Sequence, residues 1–270
     1  MSMREQERGG VVFHTSEQLA SIDGIAHGFS TRLGGVSEGI YASMNLGLTR
    51  GDDPERVREN YRRFLAAIGG TGRRYAMCNQ VHGNVVRTVT MADTKTDLYD
   101  RLGYEGDGMM TAIPGVALVV FSADCIPVLL CDPVRRVIAA VHAGWRGTAS
   151  GVVTVAVERM KEVYGCRGED IRAAIGPGIG PDCFETHEDV PNAMMASLAT
   201  PALPYIKIRE NGKFSVDLKG INAKRLELAG LDPAHIDVSG ECTGCNQEKY
   251  WSHRFVDNQR GSMAAVIELL

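Results

Sequence analysis

A chain of 270 residues, 44% hydrophobic and 23% charged, is long enough for one large domain or two small ones and has an ordinary globular composition. Its net charge of −4 gives no electrostatic case for nucleic acid or an anionic membrane, and no apolar run approaches the ~20 residues that span a bilayer. Seven scattered cysteines, an odd number, argue against a disulfide framework and for free thiols in a reducing compartment, with the cytoplasm as the expected location.

Residues 1–10 are polar, lack the apolar core of a secretory signal, and are expected to form a disordered tail. The remainder, 11–270, shows no repeat, low-complexity segment or linker and is expected to be a single domain. Val11–Phe13 and Ile25–Phe29 read as short strands. The Gly-rich loop Ser30–Ser37 carries Arg32, which suits an anion contact; without Walker-type or dinucleotide spacing, a turn with a surface Arg is the preferred reading. Asp53-Pro54 reads as an N-cap followed by Pro at the first helical position. The helix runs to about Ile68, with Val57, Tyr61, Phe64, Leu65 and Ile68 on one face and Gly69-Gly70 ending it.

Tyr75–Cys78 is extended, and His82 follows beside a glycine. The polar segment 91–104 reads as an exposed loop, and Asp107, between two glycines, as a turn residue or an acid or base at a pocket rim. Two Val/Ile-rich runs come next, 117–121 leading to Cys125 and 137–141 leading to His142, with Asp132-Pro133 as a tight turn between them. If these runs are adjacent strands, Cys125 and His142 come together. Further on lie an amphipathic helix (151–164), a strand (171–175), a Gly/Pro-rich loop long enough to wall a pocket (176–185), helices near 188–199 and 219–229, and strands at 236–238 and 263–270. Cys242 and Cys245 form a CxxC, a weak signal without a second pair; His235 or His253 could complete a metal site.

His82, Cys125 and His142 each sit in a turn at or near a strand end. Two imidazoles and a thiolate suit zinc, and three protein ligands leave a fourth position open, as in catalytic sites. Such an ion lowers the pKa of bound water or polarises an oxyanion. Cys125 with His142 would equally suit a nucleophile and its base. Spacing alone ranks a buried structural Cys and His first, zinc second and the nucleophile third.

Asn79-Gln80-Val81-His82-Gly83, Ser122–Val128 and above all His142-Ala143-Gly144-Trp145-Arg146-Gly147 resemble the hallmark motifs of one family. That family was first named for polyphenol oxidase or laccase-like activity and is now regarded as purine nucleoside phosphorylases. The resemblance runs nearly end to end, through Thr31–Ser37, Asn45-Leu46-Gly47, Gly51–Pro54, Ile175-Gly176-Pro177 and Ser252-His253-Arg254. It implies an α+β fold, a single-domain α/β/β/α sandwich with mixed sheets, and a zinc ion held by His82, Cys125 and His142. It also implies phosphorolysis of adenosine, inosine, guanosine and methylthioadenosine to free base and ribose 1-phosphate, with adenosine deamination as a second activity. On motif membership and residue chemistry, Cys125, His142 and Asp107 are the expected catalytic residues, and Arg32, Asn45 and Arg146 the expected substrate contacts. The expected partners are a purine nucleoside and phosphate, with the chain a monomer or homodimer. Three alternatives remain: a Cys–His amidase editing peptidoglycan precursors, which would use the same site; a copper-dependent phenol oxidase, which would require several copper centres and dense His-x-His clusters; and a non-enzymatic metal-binding partner protein. Seven dispersed His with no His-x-His pair speak against copper. The chain departs from the family pattern at Gly106 and Gly108 around Asp107, at Asp182-Cys183-Phe184-Glu185, and in carrying Cys245 beyond the shared Cys242-Thr243.

Overall fold

Alternation at period two sorts the apolar runs into two faces, and here both faces are buried. The computed structural model describes residues 3–100, 104–256 and 258–270. In chain order its strands are β1 (Met3–Arg8), β2 (Val11–Ser16), β3 (Ile25–Ser30), β4 (Arg74–Ala76), β5 (Val86–Thr88), β6 (Gly108–Thr111), β7 (Val116–Ser122), β8 (Ile126–Asp132), β9 (Val137–Ala143), β10 (Arg172–Ile175), β11 (Glu185–Thr186), β12 (Ile206–Ile208), β13 (Phe214–Val216), β14 (Ile236–Val238) and β15 (Met263–Leu269). The helices are α1 (Glu17–Ala20), α2 (Pro54–Ile68), α3 (Trp145–Ala149), α4 (Val152–Tyr164), α5 (Asp189–Leu198), α6 (Leu218–Leu228) and α7 (His253–Val256).

Two six-stranded sheets form the frame, in the orders β1-β2-β3-β15-β7-β4 and β14-β10-β8-β9-β6-β5, with a small third sheet β11-β13-β12. Both large sheets are mixed: β4 is parallel to β7, β5 to β6 and β14 to β10, and the other pairs are antiparallel. Leu118 and Val120 of β7, with Ala265 and Ile267 of β15, meet Leu129, Cys131, Ile138 and Ala140 of the other sheet in one buried layer. The intervening residues face outward. Ala117 and Val119 pack with α2 through Tyr61, Phe64 and Leu65. Val128, Leu130, Ala139 and Val141 pack with α4 and α6 through Val153, Ala156, Val157 and Ile221. The fold is therefore α+β, a single-domain α/β/β/α sandwich with mixed sheets, as the resemblance implied.

Helix α2 follows its sequence signals. The Asp53 carboxylate accepts from the Glu55 N–H at 2.9 Å, Pro54 occupies the first turn, and Gly69 ends the helix at φ 79°. Three expectations are corrected. Residues 3–8, assigned to a disordered tail, form β1, paired with β2 along its whole length. The reason is the two-residue Gly9-Gly10 turn, both at positive φ, whose twist closes a hairpin even though the strand is polar. That polarity suits an edge strand, which must not invite further pairing. Residues 1–2 lie outside the described residues.

The second correction concerns the two apolar runs, which are not neighbours. β7 belongs to one sheet and β9 to the other; the partner of β9 is β8, joined to it across Asp132-Pro133. Residues 126–132 supply the missing strand. Third, the 91–104 segment is not all exposed loop: it holds a short helical turn at Met91–Asp93, a bridge from Lys95 to Tyr75, and a buried Leu98. Residues 101–103 lie outside the described residues.

The two sheets come close where β10 ends. A Cβ on Gly176 would fall 2.2 Å from Cδ1 of Phe29, which comes from the opposite sheet. Gly176→Ala should therefore overpack the interlayer and lower unfolding free energy by about 1–3 kcal/mol. Urea denaturation checks this as a reduced midpoint at unchanged slope.

Candidate metal centre between two cavities

Cys125 lies in the short connection that carries the chain from β7 to β8, and hence from one sheet to the other. The Ser122 hydroxyl donates to the Cys125 carbonyl at 2.5 Å and tightens the turn. Asp124 adopts φ 85°, uncommon for a side chain other than Gly. Its carboxylate holds that conformation by accepting from the Thr243 hydroxyl (2.6 Å), the Ser252 hydroxyl (3.0 Å) and the Arg254 N–H (2.7 Å). Three contacts from the C-terminal third of the chain thus aim a thiol placed at its middle.

His142 is buried near the end of β9, with Pro127 of β8 opposite it in register. Its Nδ1 lies 2.9 Å from Oδ1 of Asp107, and its N–H donates to the Asp107 carbonyl at 2.7 Å. The same carboxylate accepts from the N–H groups of Val81 (3.3 Å), His82 (2.9 Å) and Gly83 (2.7 Å). That holds the His82 turn, whose φ of 61° is also left-handed. Upstream, Gln80 is clamped to β7: its amide donates to the Phe121 carbonyl at 2.9 Å and accepts from the Phe121 N–H at 2.7 Å.

These constraints converge. One ligand atom each from His82, Cys125 and His142 lies within 4.8 Å of the others, and the two imidazoles meet edge to face with centroids 5.0 Å apart. Gly144 makes the approach possible, since a Cβ there would stand 2.8 Å from His82 Cδ2 and 3.2 Å from Cys125 Sγ. Burial pushes the Cys125 thiol up, but the neighbouring His142 and His82 imidazoles more than reverse this and bring it down to about 6. Burial likewise lowers His142, and the Cys125 thiolate and Asp107 carboxylate outweigh it and raise the imidazole to about 9. The donor set fits a thiophilic cation of the zinc class. Asp107 occupies Nδ1 of His142 and leaves Nε2 for an ion, the carboxylate–histidine–metal relay.

Two cavities meet at His82 and Cys125. One, of about 380 Å³, is bordered by Arg50, Gln80, Phe121 and Arg260. The other, of about 670 Å³, is bordered by Trp145, Arg146, Phe184 and Lys213. His82, Ala123, Cys125 and His253 border both.

The remaining expected site residues separate clearly. Arg146 borders the larger cavity, with its guanidinium 4.2 Å over the Trp145 ring. Asp107 is wholly buried, with its carboxylate committed to His142 and the backbone. It positions the imidazole and the His82 turn, and does not stand at a pocket rim as an acid or base. Arg32 borders neither cavity. Its guanidinium donates to the carbonyls of Ala42 (2.7 and 3.1 Å) and Gln247 (3.0 Å) and lies 3.7 Å over the Trp251 ring. Asn45 is also fully buried; its carbonyl accepts from the N–H groups of Gly47 and Ser262, both at 2.9 Å. It fixes two segments of the smaller cavity's wall without reaching the cavity. Sequence reasoning missed Gln80, Asp124, Arg50 and Arg260. His253, considered as a partner of the CxxC pair, instead borders both cavities, and His235 pairs with Arg172.

Two measurements probe this geometry. Asp107→Asn should weaken metal affinity about 10–100-fold, read by chelator competition. In metal-free protein, iodoacetamide should modify Cys125 at a rate that is half-maximal near pH 6 and lost below it, since only the thiolate reacts and burial is outweighed by the imidazoles. A midpoint near that of an ordinary thiol would refute the pairing.

A family model described as multi-copper polyphenol oxidoreductase laccase matches residues 26–270. The chain is 40% identical over 245 residues to a purine nucleoside phosphorylase of Deinococcus radiodurans, covering 91% of this chain and 89% of the relative. It is 34% identical over 247 residues to the purine nucleoside phosphorylase YfiH of Escherichia coli, covering 92% and 95%. The crystal structure of YlmD from Geobacillus stearothermophilus superposes with a TM-score of 0.91 at 32% identity, covering 100% of this chain and 99% of that one.

Proposed function

Because the chain belongs to the multi-copper polyphenol oxidoreductase laccase family, with relatives named as purine nucleoside phosphorylases, we propose that it is a purine nucleoside phosphorylase working at a His82–Cys125–His142 zinc centre. The observation that carries this reading is the placement of His82 and Cys125 on the partition between two cavities, with His142 bordering the smaller, so that two small molecules can meet beside the trio. The substrates are phosphate with adenosine, inosine, guanosine or methylthioadenosine, and the products are the free base and the pentose 1-phosphate. A bound zinc ion supplies a Lewis acid that orients and polarises an oxygen of phosphate or water.

The chain's own residues do the rest. Asp107 keeps Nε2 of His142 directed at the centre, the Asp124 tethers hold the Cys125 turn, and the two imidazoles favour its sulfur as thiolate. Arg146, exposed in the larger cavity, offers the planar fork that suits a phosphate. Cleavage of the N-glycosidic bond builds positive charge on the ribose, and a phosphate held alongside stabilises that charge before it bonds to the anomeric carbon. Walls that hold nucleoside and phosphate in fixed relation convert a two-body encounter into a step within one complex. Adenosine deamination is the second activity: water in place of phosphate adds at C6 of adenine and ammonia leaves. Zinc is preferred over copper, given the absence of His-x-His pairs. No helix among the described residues is long and apolar enough to cross a membrane, and the expected setting is the cytoplasm.

One observation favours a second reading. A thiol lowered to about 6 beside an imidazole is also an activated nucleophile, suited to amide hydrolysis. Metal dependence separates the two: a chelator abolishes phosphorolysis but leaves a cysteine hydrolase active, and alkylation of metal-free Cys125 ends the latter.

Cys125→Ala should lose both this centre's zinc and phosphate-dependent release of base from adenosine and inosine; retention of both would remove the ligand role. Arg146→Ala should raise KM for phosphate about 10-fold or more, the worth of one charged hydrogen bond, with little change for nucleoside. A rise confined to nucleoside KM would exchange the two cavities' roles.

A further inference from the structure

Away from the centre just described, three thiols from two distant segments come together. Cys183 lies in the Gly/Pro-rich loop after β10, and Cys242 and Cys245 form the CxxC before α7. One sulfur each lies within 4.8 Å of the other two, and Cys183 Sγ is 3.4 Å from Cys245 Sγ. The surrounding backbone is shaped for sulfur. The Gly180 N–H donates to Cys242 Sγ at 3.0 Å, the kind of bond that stabilises a thiolate. A Cβ on Gly244 would stand 2.8 Å from Cys183 Cβ and 3.0 Å from its Sγ, so only glycine between the two CxxC cysteines lets the third sulfur in. A Cβ on Gly180 would likewise stand 3.2 Å from Cys242 Sγ. A chamber of about 340 Å³, bordered by Cys242, Cys245, Asp182 and Lys219, gives access from solvent.

We propose that Cys183, Cys242 and Cys245 form a second metal site, a three-thiolate clasp for a thiophilic cation of which Zn²⁺ is the probe. Three soft sulfurs at this separation match the ligand preference of such ions, and the chamber leaves a fourth position to water. Uptake of the cation releases the thiol protons to solvent. The clasp joins two walls of the catalytic region. Phe184 and Glu185, directly after Cys183, border the larger cavity. Thr243, inside the CxxC, donates to the Asp124 carboxylate that aims Cys125. The second ion therefore serves to hold the loop after β10 against the segment that braces the Cys125 turn.

The test is zinc stoichiometry, in protein reconstituted under reducing, oxygen-free conditions. Wild type should hold about two ions per chain, Cys245→Ser about one and Cys125→Ala about one. Cys245 is exposed, so its replacement leaves the core intact. In Cys125→Ala, bound Zn²⁺ should shield Cys183, Cys242 and Cys245 from iodoacetamide, read by peptide mass spectrometry, and a chelator should expose them. One ion in wild type, unchanged in Cys245→Ser and lost in Cys125→Ala, overturns the proposal. Alkylation of the three thiols that Zn²⁺ does not slow, or recovery of a Cys183–Cys245 disulfide from the zinc-loaded protein, overturns it equally. One ion in wild type that survives Cys125→Ala and is lost in Cys245→Ser supports the clasp while removing the first centre, so the two readings fail separately.

Discussion

The Asp107 carboxylate is the fixed point of the candidate site. It is inaccessible to water, held below the usual carboxylate range despite a burial that pushes the other way, and shared between the ring of His142 and the backbone of the His82 turn. Burying a charge without partners is costly, so the carboxylate demands its full set of donors. Those donors come from segments separated by β5 through β8. Satisfying one anion therefore sets the distance between two imidazoles that no local geometry would otherwise relate. The glycines on either side of Asp107 serve this arrangement: a Cβ on Gly108 would press to 2.9 Å of Val86.

Much of the scaffold was legible because its signals are local. The Asp-Pro start and Gly-Gly end of α2 are both realised, and so is its apolar face. Short apolar runs mark β7, β9 and β15, and Cys125 does lie near His142. The route to that proximity is not so marked. Residues 126–131 are as apolar as the runs of β7 and β9, but Pro127 in the second position argues against a strand there. The turn at Asp132-Pro133 was assigned to the right place and the wrong pair of strands. β1 is hidden for another reason: the five polar residues after Met3 show no hydrophobic period, and their strand comes from the Gly-Gly turn and the edge it joins.

The site divides along the same line. The three proposed ligands were nameable because their chemistry is specific, whereas the residues around them act through contacts that sequence does not display. Arg32 and Asn45 belong to the family motifs, yet the first closes a loop by donating to carbonyls and the second ties two strands of chain behind a wall. Motif membership marked them as needed without saying for what. Asp124 shows the converse, since its partners Thr243, Ser252 and Arg254 lie more than a hundred positions away and only the folded chain reveals them. The CxxC was weak alone because its third sulfur stands on another loop.

The crossover that carries Cys125 has a further consequence for how the two layers relate. β7 is stitched into one sheet and β8 into the other, so the sulfur between them travels with neither layer alone. A small shear of one sheet over the other would leave every ladder of hydrogen bonds intact and still pull the thiolate out of range of the imidazole on β9. The side chains of the interlayer, Leu118 and Val120 against Leu129 and Ile138, thus act as the alignment pins of an assembly whose tolerance is set by the spacing of the three proposed ligands. Mutational sensitivity in that dry layer is then a matter of registration as much as of stability, and a volume change there is felt first in the chemistry.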